Sequence, residues 1–324
     1  MAFSHFPCTD AMDITGRVPG RLNREGLGVQ ISSGWWATHL RLRPPELATH
    51  DARSHPFRII HEVPCAIRAI AFLAEHPKCV ISGISALALF GLPHLVDSCD
   101  TTVNTPVGKV DKQMGVAQRR RKPKTTWTVK WRGQRINVSS PPDAVVEALQ
   151  DIRDGLHAWA KPAWVVDAKS FWSIQLVDAA RRHLGVDAHE ISKAAHRRLN
   201  RRWIDKVLAL SSSLADSPKE TELRLMCMEF ATSLRAADLI FAEQVPLFDG
   251  SRLITTFDLA LVDLKIAIMY DGEHHLSRGQ RDKDAQINLE CIVHGWTVIR
   301  VSAGTLEDLP RFLSRLLKER GVVG

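Results

Sequence analysis

The sequence predicts an α/β protein, chiefly because helical and strand-like segments alternate along its last third. From residue 214 to residue 324 the order is α-β-β-β-α-β-α. Residues 61–160 mix two helical segments with short strand-like runs and end in a helix opened by two prolines, which indicates an α+β region. Residues 161–213 are mostly helical, and the serines that end them are typical of a linker.

The start of the chain has a less definite pattern. Residues 1–60 are rich in Gly, Pro and Arg and hold only short apolar runs. They fit either a small helix-plus-ribbon unit that ends at the Pro44-Pro45 break or partly irregular chain. Both alternatives stay open at this point.

Composition limits the class of protein. The chain has 324 residues, enough for about two domains, and a formal net charge of +7, which favours a polyanionic partner only slightly. Its 6 cysteines are scattered without the spacing of a zinc site, so we expect a reducing, cytoplasmic setting. The sequence has neither the pattern of a signal peptide nor a long apolar run, so we expect no membrane partner.

Local signals place the elements of the last third. Ser217, Pro218 and Glu220 form a capping-box pattern that predicts the start of a helix. Asp249-Gly250 predicts a hairpin between the first two strands. The expected strands are residues 241–247, 252–261, 265–270 and 297–301, and the later helices are residues 279–294 and 306–320.

Three acidic residues stand at positions suited to metal binding. Asp258 interrupts an apolar strand, Asp271 ends the next strand, and Glu220 lies in the first turn of the preceding helix. Carboxylates that converge from a helix and two strands would offer the hard oxygen ligands that Mg²⁺ prefers. His275 follows closely and could act as an acid or a base, because histidine titrates near neutral pH. The alternative for Glu220 is a helix cap or a surface pair with Arg224.

The last third also resembles a known family. The segments that carry the resemblance, in order, are SPKETELR (217–224), FDLAL (257–261), IAIMYDGEHH (266–275), Gln280 with Asp284, and GWTVIRV (295–301). Together they resemble the very-short-patch-repair-like (Vsr-like) endonucleases. That family has the PD-(D/E)XK restriction-endonuclease-like fold, which implies an α-β-β-β-α-β domain with a central mixed sheet. The resemblance covers residues 217–324.

The resemblance implies roles for individual residues. Asp258 would be the central ligand of Mg²⁺ or Mn²⁺, Glu220 the carboxylate from the helix, and Asp271 with His275 would line the scissile phosphate. Further residues expected around the site are Gln280, Asp284 and Arg300. The chain departs from the family at Met269, where these proteins usually carry Glu, and this departure makes a degenerate site an alternative.

A second resemblance covers the region upstream. VISGISALALFGLP (80–93), the basic strands up to Val138 and the helix in SSPPDAVVEAL resemble the AbiEi-type antitoxin-like region that precedes this nuclease domain in other proteins. Such an arrangement implies a winged helix, here in degenerate form, within residues 1–60, and a DNA-binding region in residues 61–160.

Two basic clusters are candidates for contact with DNA. Between residues 112 and 135 cations alternate with Trp127 and Trp131, which suits binding of phosphates and stacking on bases, although a solvated loop is the alternative. The expected contacts there are Arg119, Arg120, Arg121, Lys122, Lys130 and Arg132. Arg197, Arg198, Arg201 and Arg202 would form one cationic face if they lay on one helix, and such a face is usually only solvated.

The leading hypothesis for function is a metal-dependent DNA endonuclease or nickase of a defence, mobile-element or repair system. The alternative is a catalytically degenerate DNA-binding regulator of the antitoxin type. An interaction module without nucleic acid fits the basic strands less well.

Overall fold

The computed structural model of the chain describes residues 14–16, 28–32, 35–38, 42–105, 115–119, 125–131, 134–234, 239–272 and 278–322. The chain divides into two compact units, Met1–Ser211 and Ser212–Gly324. Both contain helices and strands, so the prediction of a mixed α/β protein is confirmed. Within the described residues, no helix is both long and apolar enough to span a membrane.

The first described element of the first unit is a small antiparallel sheet. Its strands lie in the order β1-β3-β2 and are β1 Ile14–Gly16, β2 Gly28–Ser32 and β3 Trp35–Thr38. Helix α1, Pro45–Ala52, follows. One of the two alternatives for residues 1–60 placed a break at Pro44-Pro45. In the structure Pro45 begins α1, because the first helical position needs no backbone N–H donor.

A mixed sheet of five strands forms the centre of the first unit. Its order is β6-β5-β4-β8-β7, with strands β4 Val80–Ile81, β5 Thr101–Asn104, β6 Val116–Arg119, β7 Thr126–Trp131 and β8 Gln134–Ser139. Strand β4, with 2 residues, is too short to show a periodicity in the sequence. The pairs β4–β8 and β5–β6 are parallel, and the others are antiparallel.

Helices α2 Cys65–Glu75 and α3 Gly83–Leu89 pack on this sheet. The helices that follow pack on α3 and on one another: α4 Pro141–Arg153, α5 Ala168–Leu184, α6 Ala188–Ala195 and α7 Arg201–Ala209. Helix α4 is buried along most of its length, including the carboxylates of Asp143 and Glu147. Arg198, in the turn between α6 and α7, forms ion pairs with both. This cation offsets the cost of removing the two carboxylates from water.

The second unit is built around a four-stranded mixed sheet in the order β12-β11-β10-β9. Its elements are α8 Pro218–Ser233, β9 Ala242–Asp249, β10 Arg252–Leu261, β11 Ile266–Tyr270, α9 Arg278–Val293, β12 Thr297–Val301 and α10 Leu309–Glu319. The order α-β-β-β-α-β-α agrees with the sequence prediction. Strands β11 and β12 are parallel, as a helical connection between them allows.

Two local predictions in the second unit are confirmed. Asp249 pairs with Arg252 across the β9–β10 hairpin, and Gly250 in its turn has a φ of 58°, a conformation that glycine adopts without strain. Ser217 caps α8 by accepting a hydrogen bond from the backbone N–H of Glu220. An apolar cluster of this unit includes Phe257, whose ring lies 4.7 Å from that of Trp296.

Candidate functional site

Glu220 is held at the start of α8 by three hydrogen bonds. Its Oε1 accepts from the Ser217 hydroxyl at 3.1 Å, and its Oε2 accepts from the backbone N–H of Asp216 at 2.9 Å. The side chain of Gln244, on β9, donates to the same Oε2 at 3.1 Å. Glu220 is therefore a helix-capping residue and a carboxylate fixed against the sheet at once.

Arg224 does not lie at the surface, as a surface pair with Glu220 would require. The Arg224 side chain is buried and lies 3.5 Å from the carboxylate of Glu243 on β9. The three donors that hydrogen-bond to Glu220 are neutral groups, so they offset only part of the cost of burying its negative charge. Burial raises the pKa of Glu220 to about 7, and the negative charge of Asp258 adds to the effect, while the Asp216 N–H opposes it.

Asp258 reaches across to the neighbouring strand. Its Oδ2 accepts a hydrogen bond of 2.6 Å from the backbone N–H of Tyr270. Burial raises the pKa of Asp258, that hydrogen bond lowers it, and the charges of Asp216 and Asp271 raise it further. Asp258 therefore lies in a negative region that a bound cation would stabilise.

Asp271 lies just after β11 and already has a cation beside it. Arg300, on β12, donates to the Asp271 Oδ1 at 2.8 Å and to the amide oxygen of Asn288 on α9 at 3.2 Å. The Asp271 side chain is 48% exposed, so this ion pair is screened by water and can exchange for another partner. Arg300 was expected near the site, and it pairs with a predicted ligand.

The structure adds two residues that the sequence did not indicate. The negative charge of Asp216 raises the pKa of both Glu220 and Asp258, although its backbone N–H lowers that of Glu220, so a fourth carboxylate belongs to the same negative region. Gln244 has a φ of 49°, which is unusual for a residue with a side chain, and it donates to Glu220. Neither had a sequence signal, because one looks like an ordinary helix-preceding acid and the other like a polar strand residue.

The remaining predicted residues either lie outside the described part of the chain or lie on its helices and strands. His275 and the basic residues Arg120, Arg121, Lys122 and Arg132 lie outside the described residues. The side chains of Arg119 and Gln280 are likewise outside them. Lys130 is exposed on β7, and Asp284 is half-buried on α9.

Met269 occupies the position at which the resemblance implies Glu. It is half-buried and packs on the apolar cluster that contains Phe257 and Cys291. In the parallel β11–β12 pair its register partner is Arg300. A glutamate at this position would therefore have a cation on the adjoining strand.

The three predicted carboxylates do not form the tightest set of possible metal donors. Among the described residues, the group with three donor atoms within 4.8 Å of one another is His55, His61 and Asp100, in the first unit. All three side chains are buried. No sequence pattern connects them, since they come from an irregular segment and from the residue before β5.

Hydrogen bonding explains the His55–Asp100–His61 group without a metal. His55 Nδ1 accepts from the Phe57 N–H at 3.1 Å, so in a neutral ring the proton lies on Nε2, which faces Asp100 Oδ1 at 3.1 Å. His61 Nε2 lies 3.0 Å from the same oxygen, and burial lowers the pKa of His61 to about 4. A metal ion would need the lone pair of His55 Nε2, which that proton occupies.

Comparison of the chain with protein-family models, with curated proteins and with solved structures gave no match in any of the three. The geometry of the two sites is therefore the basis for proposing a function.

The raised pKa of Glu220 predicts a stability that depends on pH. Its pKa in the fold, about 7, lies above the ordinary value of 4.5, so the unfolded chain gives up this proton first as pH rises. As pH rises from 4.5 to about 7, the free energy of unfolding should decrease, and it should stay at the lower value above pH 7. Glu220→Gln, which can keep the hydrogen bonds, should therefore raise the melting temperature by a few degrees at pH 8, in EDTA, and by much less at pH 5.

The control for this measurement is Glu229→Gln, at an exposed position of the same helix. It should change the melting temperature by a similar small amount at both pH values. An equal effect of Glu220→Gln at the two pH values would contradict the prediction.

Asp100→Asn tests the hydrogen-bonded group. A neutral amide oxygen accepts more weakly than a carboxylate, so this variant should lose about 1–2 kcal/mol of unfolding free energy. Thermal melting of wild type should be the same with Zn²⁺ and with EDTA. If Zn²⁺ instead raised the melting temperature of wild type and not of Asp100→Asn, the group would be a metal site.

Proposed function

We propose that the second unit is a metal-dependent nuclease that hydrolyses phosphodiester bonds of DNA, acting as an endonuclease or nickase. The observation that carries this proposal is the negative region around Glu220 and Asp258. Burial raises the pKa of both carboxyl groups, and nearby negative charges raise it further: that of Asp258 for Glu220, and those of Asp216 and Asp271 for Asp258. Such a region gains most from a divalent cation, whose binding removes the repulsion.

The donor set suits Mg²⁺ or Mn²⁺. Glu220, Asp258 and Asp271 offer hard carboxylate oxygens and come from α8, β10 and the end of β11. Mg²⁺ usually binds through one or two carboxylates and keeps its other positions for water and phosphate, so the carboxylates need not lie as close as a zinc site requires. When bound, the cation would neutralise charge on the phosphate.

The chain's own residues would then have separate tasks. Gln244, Ser217 and the Asp216 N–H hold Glu220 in one orientation, and the Tyr270 N–H does the same for Asp258. Arg300 would be released from Asp271 as a ligand replaces it, and its guanidinium could then pair with a phosphate oxygen. Positioning of this kind is the main contribution a protein makes to phosphate-ester hydrolysis.

A non-catalytic DNA-binding regulator of the antitoxin type is the second candidate, and two observations favour it. Met269 packs on the apolar cluster instead of supplying a carboxylate, and Arg300 occupies one side of Asp271. In such a protein the nuclease-like sheet would serve as a scaffold only.

Nicking of supercoiled plasmid tests the proposed activity. Wild type should convert the plasmid to open-circular or linear form with Mn²⁺ or millimolar Mg²⁺ and not with EDTA. Asp258→Asn keeps an acceptor for the Tyr270 N–H but removes the charge, so the rate should fall by roughly a hundredfold or more. Asp263→Asn, at an exposed position just after β10, is the matched control and should nick like wild type. Equal rates for the two variants would contradict the assignment.

Met269→Glu separates the two candidate functions. In an active site the added carboxylate should lie beside Arg300, tighten binding of Mg²⁺ and raise the nicking rate several-fold, at a modest cost in melting temperature. In a scaffold the same charge would only disturb the apolar cluster and lower the melting temperature. A less stable variant, with no metal-dependent nicking in it or in wild type, would favour the regulator.

A further inference from the structure

A groove of about 860 Å³ lies along helices α6 and α7 of the first unit. Its walls carry cations from both helices and from the turn that joins them. Lys193 comes from α6, Arg197 from the turn and Arg201 from the first position of α7. His189 and His196 add two groups that can become cationic, and Asp205 is the one acid among the lining residues. With neutral histidines the groove carries three positive charges against one negative charge.

The turn between the helices carries two adjacent arginines, one directed into the core and the other exposed in the groove. Arg197, Arg198, Arg201 and Arg202 would share one cationic face if they lay on one helix. They do not, since the first two lie between α6 and α7. Arg198 points inward to Asp143 and Glu147. Arg197 is exposed and lines the groove, with a φ of 61° that is uncommon for a residue with a side chain.

Arg198 holds the turn, and so the groove that the turn lines, against helix α4. Besides its ion pairs, the Arg198 carbonyl accepts hydrogen bonds from Gln150 at 3.2 Å and Arg153 at 3.4 Å, both on the buried helix α4. Leu199 and Ile204 are buried beneath the turn and α7. The exposed cations therefore stand on a rigid support, so little conformational entropy is lost when they bind a ligand.

We propose that the groove between α6 and α7 binds the phosphodiester backbone of duplex DNA through Lys193, Arg197 and Arg201. The two short helices follow one another across residues 196–200, and arginines occupy the first two positions of the second helix. Helix-turn-helix proteins likewise bring the start of a second helix to duplex DNA. Among the described residues that line the groove there is no Phe, Tyr or Trp, so it lacks a platform for stacking the bases of a single strand. This DNA-binding surface lies in the first unit and shares with the proposed function only the choice of DNA as partner.

Binding to a labelled duplex, followed by fluorescence anisotropy in EDTA over a series of salt concentrations, tests the proposal without any cleavage. The test variant combines Lys193→Ala, Arg197→Ala and Arg201→Ala in the full chain. Its affinity should fall by about tenfold or more, and the log–log salt dependence should flatten by about 0.9 for each phosphate that is no longer neutralised.

The matched control removes three exposed lysines of the same unit that lie outside the groove: Lys78→Ala, Lys161→Ala and Lys169→Ala. It changes the net charge equally and should bind nearly as wild type does. If the test variant melts at a lower temperature, Lys193→Glu alone, at an exposed position, should still weaken binding.

Three results would overturn the inference: a test variant that binds like wild type, a control that binds as weakly as the test variant, or wild type that binds single-stranded DNA or duplex RNA as tightly as duplex DNA. The outcome is separate from that of the nicking assay. A wild type that binds duplex DNA through this groove but never nicks plasmid would leave the inference standing and remove the proposed nuclease.

Discussion

Burying a carboxylate costs free energy because the charge loses its hydration, and the two units of this protein respond to that cost in opposite ways. In the first unit Asp143 and Glu147 are buried on α4, and Arg198 neutralises them. In the second unit burial raises the pKa of Glu220 to about 7, and the neutral hydrogen-bond donors around it oppose this rise only in part. The first solution stabilises a fold, whereas the second leaves a negative region ready for a cation.

This contrast separates structural charges from candidate functional ones better than burial alone does. The His55–Asp100–His61 group has the shortest spacing of metal donors among the described residues, yet its hydrogen bonds already use the atoms that a metal would need. Although burial alone would raise it, the two histidines hold the pKa of Asp100 well below its usual range. The pKa values of Glu220 and Asp258 are raised instead, so the carboxylate region of the second unit is the stronger candidate for cation binding.

The same reasoning connects the inward arginine to the proposed DNA groove. Because Arg198 satisfies buried acids, the turn that carries it is held against α4, and its neighbour Arg197 is held outward. An interaction that stabilises the core thus also positions exposed cations. A mobile turn with the same residues would lose more entropy on binding and hold phosphate less tightly.

The sequence by itself determined the alternation of elements in residues 214–324, the capped start of α8 and the hairpin at Gly250, because these depend on local periodicity and turn chemistry. It also singled out Glu220 and Asp258 as unusual acids. Only the tertiary structure decided that Gln244 holds Glu220 and that Arg198 leaves its expected helical face. Those outcomes depend on which residues distant in the chain come within hydrogen-bonding distance, and on the cost of burying a charge, neither of which a local pattern contains.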